Sequence, residues 1–286
     1  RYNQIEEQAD LGFAPDSSFP LTYAEKGLLQ VKLHGPGWDD LPLQAGQALN
    51  VVPDKATYAG HRLEELLPVL DQSGVQYSQT EDSVTVLGVS KHSKDAAEGV
   101  NAIVGLAESL SLIQPHPALL FIADAVGEDA TGAALFGEIK DEPSGDLSFN
   151  LATLVIDQEQ SEIGIDIRIP VLADKDALVA RLREIAASYQ LEYEEFDYLA
   201  PLYVPLDSPL VSSLMAVYQE ETGDKTPAMS SGGATFARTM ENCVAFGALF
   251  PGAEQTEHQA NERAKIDDLY AAMEIYREAI QRLATT

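Results

Sequence analysis

The chain has 286 residues, enough for one large domain or two ordinary ones with a sizeable core. Apolar residues make up 45% and charged residues 22%, which excludes a disordered or fibrous protein. The formal charge of −28 disfavours nucleic acid and anionic membranes as partners. No uncharged apolar run reaches the ~18 residues that a membrane span needs. The single cysteine, Cys243, excludes an internal disulfide and a multi-cysteine zinc site.

The first half of the chain is predicted to alternate between strands and helices. Residues 1–25 have the turn chemistry of loops and short strands. Apolar alternation predicts strands over 28–33 and 84–89, and a helical pattern lies around 56–70. From Asp95 the spacing becomes helical again, with the apolar residues on one face.

The middle of the chain gives the clearest β signal, over 149–156 and 163–169. In the second run four isoleucines share one face, while Asp166 and Arg168 share the other. Arg168 there is either one half of a weak cross-strand ion pair on a wet face or a fork that binds a carboxylate or an oxyanion.

The last part is predicted to hold three helices and one strand. A helix follows the capping residues Asp174 or Asp176, a strand lies near 191–203, and Ser208-Pro209 begins a helix that ends before Gly223. The final helix, about 265–283, is expected to bury the apolar stripe formed by Ile266, Leu269, Tyr270, Met273, Tyr276, Ile280 and Leu283. Interleaved strands and helices indicate an α/β or α+β fold.

The sequence has five histidines, and their local surroundings differ. His34, His61 and His116 fit surface or helix-end positions. His92 follows a predicted strand and precedes a helix, where a rigid scaffold presents functional side chains, although an exposed loop histidine is the simpler alternative. His258 lies in a polar loop with nearby carboxylates and is either a metal ligand or part of a helix N-terminal turn.

Two further places could carry chemistry. Asp16 follows Pro15 in a tight, aromatic-flanked turn, where an aspartate is often only a turn former. Gly232 and Gly233 place backbone N–H groups close to Arg238, which could form an anion cradle. This glycine turn matches neither standard nucleotide-binding pattern.

Five segments in fixed order give the sequence a family resemblance. They are FAPDSSFP at 13–20, ALNVVP at 48–53, GVSKH at 88–92 with GVNA at 99–102, IDIRIP at 165–170, and SGGATFAR at 231–238 with EHQANE at 257–262. With them the chain resembles the zinc-dependent dipeptidases of the peptidase V (Xaa-His dipeptidase) type. These belong to the larger family that holds aminoacylase, carboxypeptidase G and the desuccinylases.

The resemblance implies a two-domain metallopeptidase in which a lid is inserted into a catalytic α/β domain that holds two zinc ions. Residues 1–25 and 204–286 would belong to the catalytic domain, and residues 26–203 would form the α+β lid. The implied function is hydrolysis of dipeptides, at the bond next to a free C-terminal carboxylate, by a water that two zinc ions activate. A cytoplasmic location is expected, and the oligomeric state is left open.

The same resemblance implies roles for single residues. His92 would polarise the scissile carbonyl or hold the tetrahedral oxyanion. Asp16 and His258 would be zinc ligands. Asn50 and Arg168 would bind the substrate carboxylate, and Gly232, Gly233 and Arg238 would line the same substrate-binding site. Arg168 is expected to contribute little to folding.

The family's upstream His-x-Asp motif, bridging aspartate and Glu-Glu pair have no counterpart in this sequence. The chain, which begins at Arg1, therefore looks like the C-terminal part of a dipeptidase, N-terminally truncated and inactive alone. Two alternatives stay open. One is a non-catalytic binding or assembly protein of the same fold, and the other is an amidase that acts on N-acyl amino acids.

Overall fold

The computed structural model describes residue 5, residues 9–256 and residues 260–285. Its chain divides into two units, one made of Arg1–Lys26 with Ala200–Thr286 and one made of Gly27–Leu199. Helices and sheets occur in both, so the predicted mixed α/β class is confirmed. In the described part of the chain, no helix has the length and apolar character that crossing a membrane requires.

Four strands of the second unit have eight to ten residues, and the other described strands have two to four. In chain order they are β1 Gly12–Ala14, β2 Ser17–Ser18, β3 Thr22–Glu25, β4 Gly27–Pro36, β5 Leu43–Ala45, β6 Lys55–Tyr58, β7 Tyr77–Gln79, β8 Val84–Leu87, β9 Lys140–Asp141, β10 Gly145–Asp146, β11 Ser148–Ile156, β12 Gln160–Ile169, β13 Glu192–Leu199, β14 Leu202–Tyr203, β15 Met229–Ser231, β16 Cys243–Ala245 and β17 Ala248–Leu249.

The helices are α1 Leu63–Ser73, α2 Ala102–Ser111, α3 Pro117–Leu120, α4 Ala133–Phe136, α5 Lys175–Ser188, α6 Pro209–Thr222 and α7 Ile266–Leu283. Short 3₁₀ segments lie at Ser93–Glu98 and Phe236–Thr239, and a π-helical turn lies at Phe121–Val126. The predicted helix around 56–70 is wrong in its first part, because residues 55–58 form β6. The caps of α6 are as predicted, with Ser208 at the N-terminus and a left-handed Gly223 at the C-terminus.

An eight-stranded sheet organises residues 27–199, in the order β13-β4-β12-β11-β5-β6-β8-β7. The longest pairing joins β12 to β4 in antiparallel register, from Gln160 opposite Pro36 to Ile169 opposite Gly27. The predicted isoleucine face of β12 is buried in a core shared with α1, α2 and α5. Among the described strands, β13 and β7 form the two edges of this sheet.

The opposite face of β12 differs from the sequence prediction. Asp166 is fully buried and Arg168 is 3% exposed, so the alternative of an ion pair on a wet face is wrong. The reason is that residues distant in sequence cover it. The Ser93–Glu98 segment lies over β11 and β12 there, with Ser93 bonded to both Ser148 and Arg168. Strand alternation correctly predicts which residues share a face, but the covering segment comes from elsewhere in the chain.

The other unit is built on a small sheet in which β16 pairs with β1 and β3, and β3 also pairs with β14 and β15. Aromatic rings pack beside it, with Phe19 5.2 Å from Tyr218 and 5.3 Å from Phe246 between ring centroids. Helix α7 shows a second difference. The residues that this helix buries are Ala272, Ile275 and Ala279. Five residues of the predicted buried stripe are instead 50–68% exposed, namely Ile266, Leu269, Tyr270, Met273 and Ile280.

Candidate functional site

The backbone just before His92 approaches a second segment so closely that only glycine fits at position 88. A Cβ atom on Gly88 would lie 2.1 Å from the carbonyl oxygen of Val100, so a side chain there would collide with backbone. The two strand-like segments meet at the Val89–Val100 bridge, where each residue donates an N–H bond to the other's carbonyl. This close approach fixes the path of the chain just before His92.

The segment that carries Asn50 pairs with the His92 segment. Val51 and His92 form an antiparallel bridge, the N–H of Ser93 donates to the Asn50 carbonyl at 2.9 Å, and the N–H of Val52 donates to the Lys91 carbonyl at 2.8 Å. Asn50 and His92 are both exposed. The structure therefore brings these two predicted site residues to adjacent places on one paired backbone.

Arg168 reaches the same place from the sheet below. Its Nη2 donates to Ser93 Oγ at 3.0 Å. Its Nε donates to Asp166 Oδ1 at 2.6 Å, and Nη2 donates to Asp166 Oδ2 at 3.1 Å. Gln30 donates a further bond to Asp166. Arg168 is thus part of a buried, bidentate ion pair that lies next to the residue following His92.

The surroundings of His92 favour its neutral form. Partial desolvation of the ring is the main cause that lowers its pKa, and the positive charges of Arg168 and Lys94 lower it further. Nδ1 accepts a hydrogen bond from the N–H of Lys94 at 3.1 Å. A neutral ring whose Nδ1 accepts carries its proton on Nε2. This tautomer presents an N–H donor suited to a carbonyl oxygen or an oxyanion.

In the other unit the structure brings Asp16 beside the predicted glycine turn. Asp16 is exposed, and its Oδ2 accepts a hydrogen bond from the N–H of Phe236 at 3.0 Å. The turn itself is shaped by Ser231, whose Oγ accepts from the N–H of Gly233. Asp16 therefore holds the start of the 3₁₀ segment that follows Gly232 and Gly233.

Arg238 is engaged within that unit by several bonds. Nε donates to Glu25 at 2.7 Å, Nη1 to the Ala200 carbonyl at 2.7 Å, and Nη2 to the carbonyls of Lys26 and Gly233. Glu25 also accepts from the N–H and the hydroxyl of Thr235. The guanidinium therefore ties the glycine turn to β3 and to the start of the second chain segment of the unit.

A zinc site cannot be assembled from the described residues alone. His258 lies outside them. Within residues 9–256 and 260–285, no group of three or more His, Cys, Asp or Glu side chains could hold a metal ion. Asp16 is the predicted ligand that remains, and zinc sites ordinarily use three or four protein ligands.

Three residues that support Asn50 and His92 were missed by the sequence reasoning. Ser93, Ser148 and Asn150 are all buried, and each bonds to the paired segments or lies within them. Serine and asparagine are common in loops and strands, so composition and spacing do not single them out. The register of β11 against β12 shows their place, because it sets Ser148 opposite Arg168 and Asn150 opposite Asp166.

Comparisons with known proteins agree with this architecture. The family model described as Peptidase family M20/M25/M40 matches residues 13–282. YtjP of Bacillus subtilis (strain 168), which carries a provisional dipeptidase name, is 34% identical over 306 aligned positions, which cover 99% of this chain and 65% of that protein. SH1171 of Staphylococcus haemolyticus (strain JCSC1435), named in the same way, is 30% identical over 99% of this chain and 66% of its own length.

Among solved structures, an aminoacylhistidine dipeptidase from Vibrio alginolyticus superposes with a TM-score of 0.53 at 10% identity, over 95% of this chain and 65% of the other. At that identity the likeness shows a shared fold. The chain spans about two thirds of the length of the curated relatives it matches. On the match to the family model and on these relatives, the chain belongs to Peptidase family M20/M25/M40.

Proposed function

We propose that the chain is the substrate-binding and C-terminal catalytic part of a dipeptidase that cleaves the bond next to a free C-terminal carboxylate. The observation that carries this proposal is the meeting of Asn50, His92 and Arg168 around Ser93. The dipeptidase names of the relatives point to the same class of reaction.

In this proposal His92 acts on the reacting carbonyl group. Its neutral ring donates from Nε2 to the carbonyl oxygen, and that bond strengthens as negative charge develops on the oxygen in the transition state. Asn50 offers an amide, and Arg168 offers positive charge, to the substrate carboxylate. Gly232, Gly233 and Arg238 are the residues of the other unit that we assign to substrate binding, and the bonds of Arg238 keep the glycine turn in place.

The unit Gly27–Leu199 is the proposed lid, and the unit made from both chain ends is the proposed catalytic domain. Support comes from the topology, because one continuous segment is inserted between two segments that share a unit. In the full-length protein, two zinc ions with Asp16 and His258 among their ligands would supply activation of the attacking water. The buried free thiol of Cys243 suits a cytoplasmic location.

The test uses the full-length protein and a panel of dipeptides, dipeptide C-terminal amides and N-acyl amino acids. We expect turnover of dipeptides with a free carboxylate. His92→Ala should lower kcat by about 10²–10³-fold, which is the usual cost of removing one oxyanion donor. His61→Ala is the matched control, because His61 is also exposed and lies elsewhere in the same unit.

Three outcomes would contradict the proposal: full activity in the His92 variant, turnover of N-acyl amino acids alone, or no hydrolysis at all. The 286-residue chain by itself is expected to show no zinc-dependent hydrolysis, because it supplies two of the proposed zinc ligands and no family general base. Zinc-dependent turnover by the isolated chain would mean that its own residues complete the site.

A further inference from the structure

Asn150 holds the backbone on both sides of Asn50. It lies on β11, is 1% exposed, and its Nδ2 donates to the carbonyl oxygens of Leu49 and Val51 at 3.0 Å each. One buried amide group therefore binds the two carbonyls that flank the predicted carboxylate-binding residue. Such a pair of bonds fixes the direction in which the residue between them projects.

Two further contacts hold the same short segment. The Asn50 carbonyl accepts the N–H of Ser93 at 2.9 Å. A Cβ atom on Gly164 of β12 would lie 2.6 Å from a methyl group of Leu49, so the missing side chain at position 164 leaves room for Leu49 on the sheet. By contrast, the side chain of Asn50 has no hydrogen bond to any described residue and is exposed. The backbone around Asn50 is fixed while its amide stays available.

We propose that Asn150 is a positioning residue for Asn50 in recognition of the substrate carboxylate. The inference rests on the proposed function, in which Asn50 contacts that carboxylate. Without the amide of Asn150, the carbonyls of Leu49 and Val51 lose their common donor, and the 49–51 segment gains alternative conformations. Fewer molecules then present Asn50 correctly, so substrate binding weakens while the chemistry at His92 proceeds as before.

The rival explanation is that Asn150 only stabilises the fold. Asn101 provides a control, because it is another asparagine beside β11, with three side-chain hydrogen bonds of its own. Its Nδ2 donates to the Leu151 carbonyl at 2.7 Å, and its Oδ1 accepts from the N–H groups of Ile103 and Val104 at the start of α2. Removing Asn101 therefore costs bonds close to Asn150 without releasing the 49–51 segment.

The experiment is a double-mutant cycle in the full-length protein, with kcat, KM and Tm measured on a dipeptide that has a free carboxylate. Asn150→Ala should raise KM about tenfold and change kcat less than threefold, which corresponds to about 1.4 kcal/mol of binding. Asn101→Ala should lower Tm and leave KM within about twofold, the scatter expected of a site with no direct coupling. In an Asn50→Ala background, Asn150→Ala should raise KM no further. Asn150→Asp, which keeps the shape and nearly the volume of the side chain but removes the NH₂ donor, replaces Asn150→Ala if that variant fails to fold.

Two results would overturn the inference: an unchanged KM in both Asn150 variants, or KM effects of Asn50 and Asn150 that multiply independently. Amide hydrogen exchange separates this failure from failure of the proposed function, because it needs no substrate. Exchange at Val51 and Val52 should accelerate in Asn150→Ala and not in Asn101→Ala. If the full-length protein cleaves no dipeptide, the proposed function fails. The role of Asn150 in fixing the segment around Asn50 fails as well only if the amides of Val51 and Val52 exchange in Asn150→Ala at the wild-type rate.

Discussion

Arg168 carries its charge in a buried ion pair, which changes what its removal should do. The strand pattern predicted that Arg168 contributes little to folding, but the side chain is 3% exposed and lies in a buried ion pair. The Asp166 carboxylate is fully buried and depends on Arg168 for two bonds. Loss of one member of a buried pair leaves the other charge without compensation.

We therefore predict that Arg168→Ala lowers the free energy of unfolding by about 3–5 kcal/mol. The measurement is denaturant unfolding of the full-length protein, followed by a probe in residues 27–199. Arg181→Ala is the control, because Arg181 pairs with Glu184 at the surface and such pairs are worth about 0.2–1 kcal/mol. A wild-type unfolding curve for the Arg168 variant would show that the Asp166 charge is compensated in another way.

His116 is a second residue whose environment the sequence indicates only in part. It lies at a helix end, as expected, but it is 1% exposed. Its Nδ1 accepts from the N–H of Ala118 at the start of α3, and its Nε2 donates to the Pro36 carbonyl at 3.0 Å. Burial lowers its pKa, so the folded protein keeps this ring neutral.

The sign of the pH effect follows from this lowered pKa. Below about pH 6.5, the ordinary histidine value, the unfolded chain binds a proton at His116 before the folded chain does. The stability that His116 contributes is complete above that pH and is lost as the pH falls toward the folded-state pKa. We predict a shallower loss of stability between pH 7.5 and 5.5 in His116→Asn than in the wild type, measured by urea unfolding. His92, whose pKa is also lowered, should maintain part of the slope. An unchanged slope would mean that His116 titrates normally.

The face of helix α7 that is buried differs from the face that its apolar periodicity predicts. Its apolar residues define two faces, a large one through Leu269, Tyr270 and Met273 and a small one through Ala272 and Ala279. Periodicity favours the larger face for burial, yet the structure buries the smaller one. Which face is covered depends on what packs against the helix, and this information is not local.

The two faces of α7 predict different effects for two substitutions on the same helix. Met273 is 60% exposed and Ile275 is 1% exposed. Met273→Lys should change the free energy of unfolding by less than about 0.5 kcal/mol, because the change lies at an exposed site. Ile275→Ala should lower it by about 2–5 kcal/mol, because it removes a buried side chain. Both are measured by urea unfolding, and a large loss of stability in Met273→Lys would contradict the exposure of this face.

At the scale of the whole molecule, the fold class and the larger family could be predicted from the sequence, whereas the residues that surround the candidate site could not. Short segments around Asn50, His92 and Arg168 carried the resemblance, and the structure places these three residues around Ser93. Their supports could not be found in the same way. Asn150 acts through strand register and long-range backbone contacts, which a single sequence does not display.

The outer strand β13 has a consequence for how copies of the protein meet. Glu192, Glu194, Glu195 and Asp197 lie along an edge whose backbone groups on one side pair with β4. Antiparallel pairing of two such edges would set carboxylates against carboxylates, and like charges directly opposite each other destabilise a strand pair. We therefore expect the acidic residues to disfavour edge-to-edge aggregation. Their repulsion extends only about 8 Å at physiological ionic strength, so this protection weakens as the salt concentration rises.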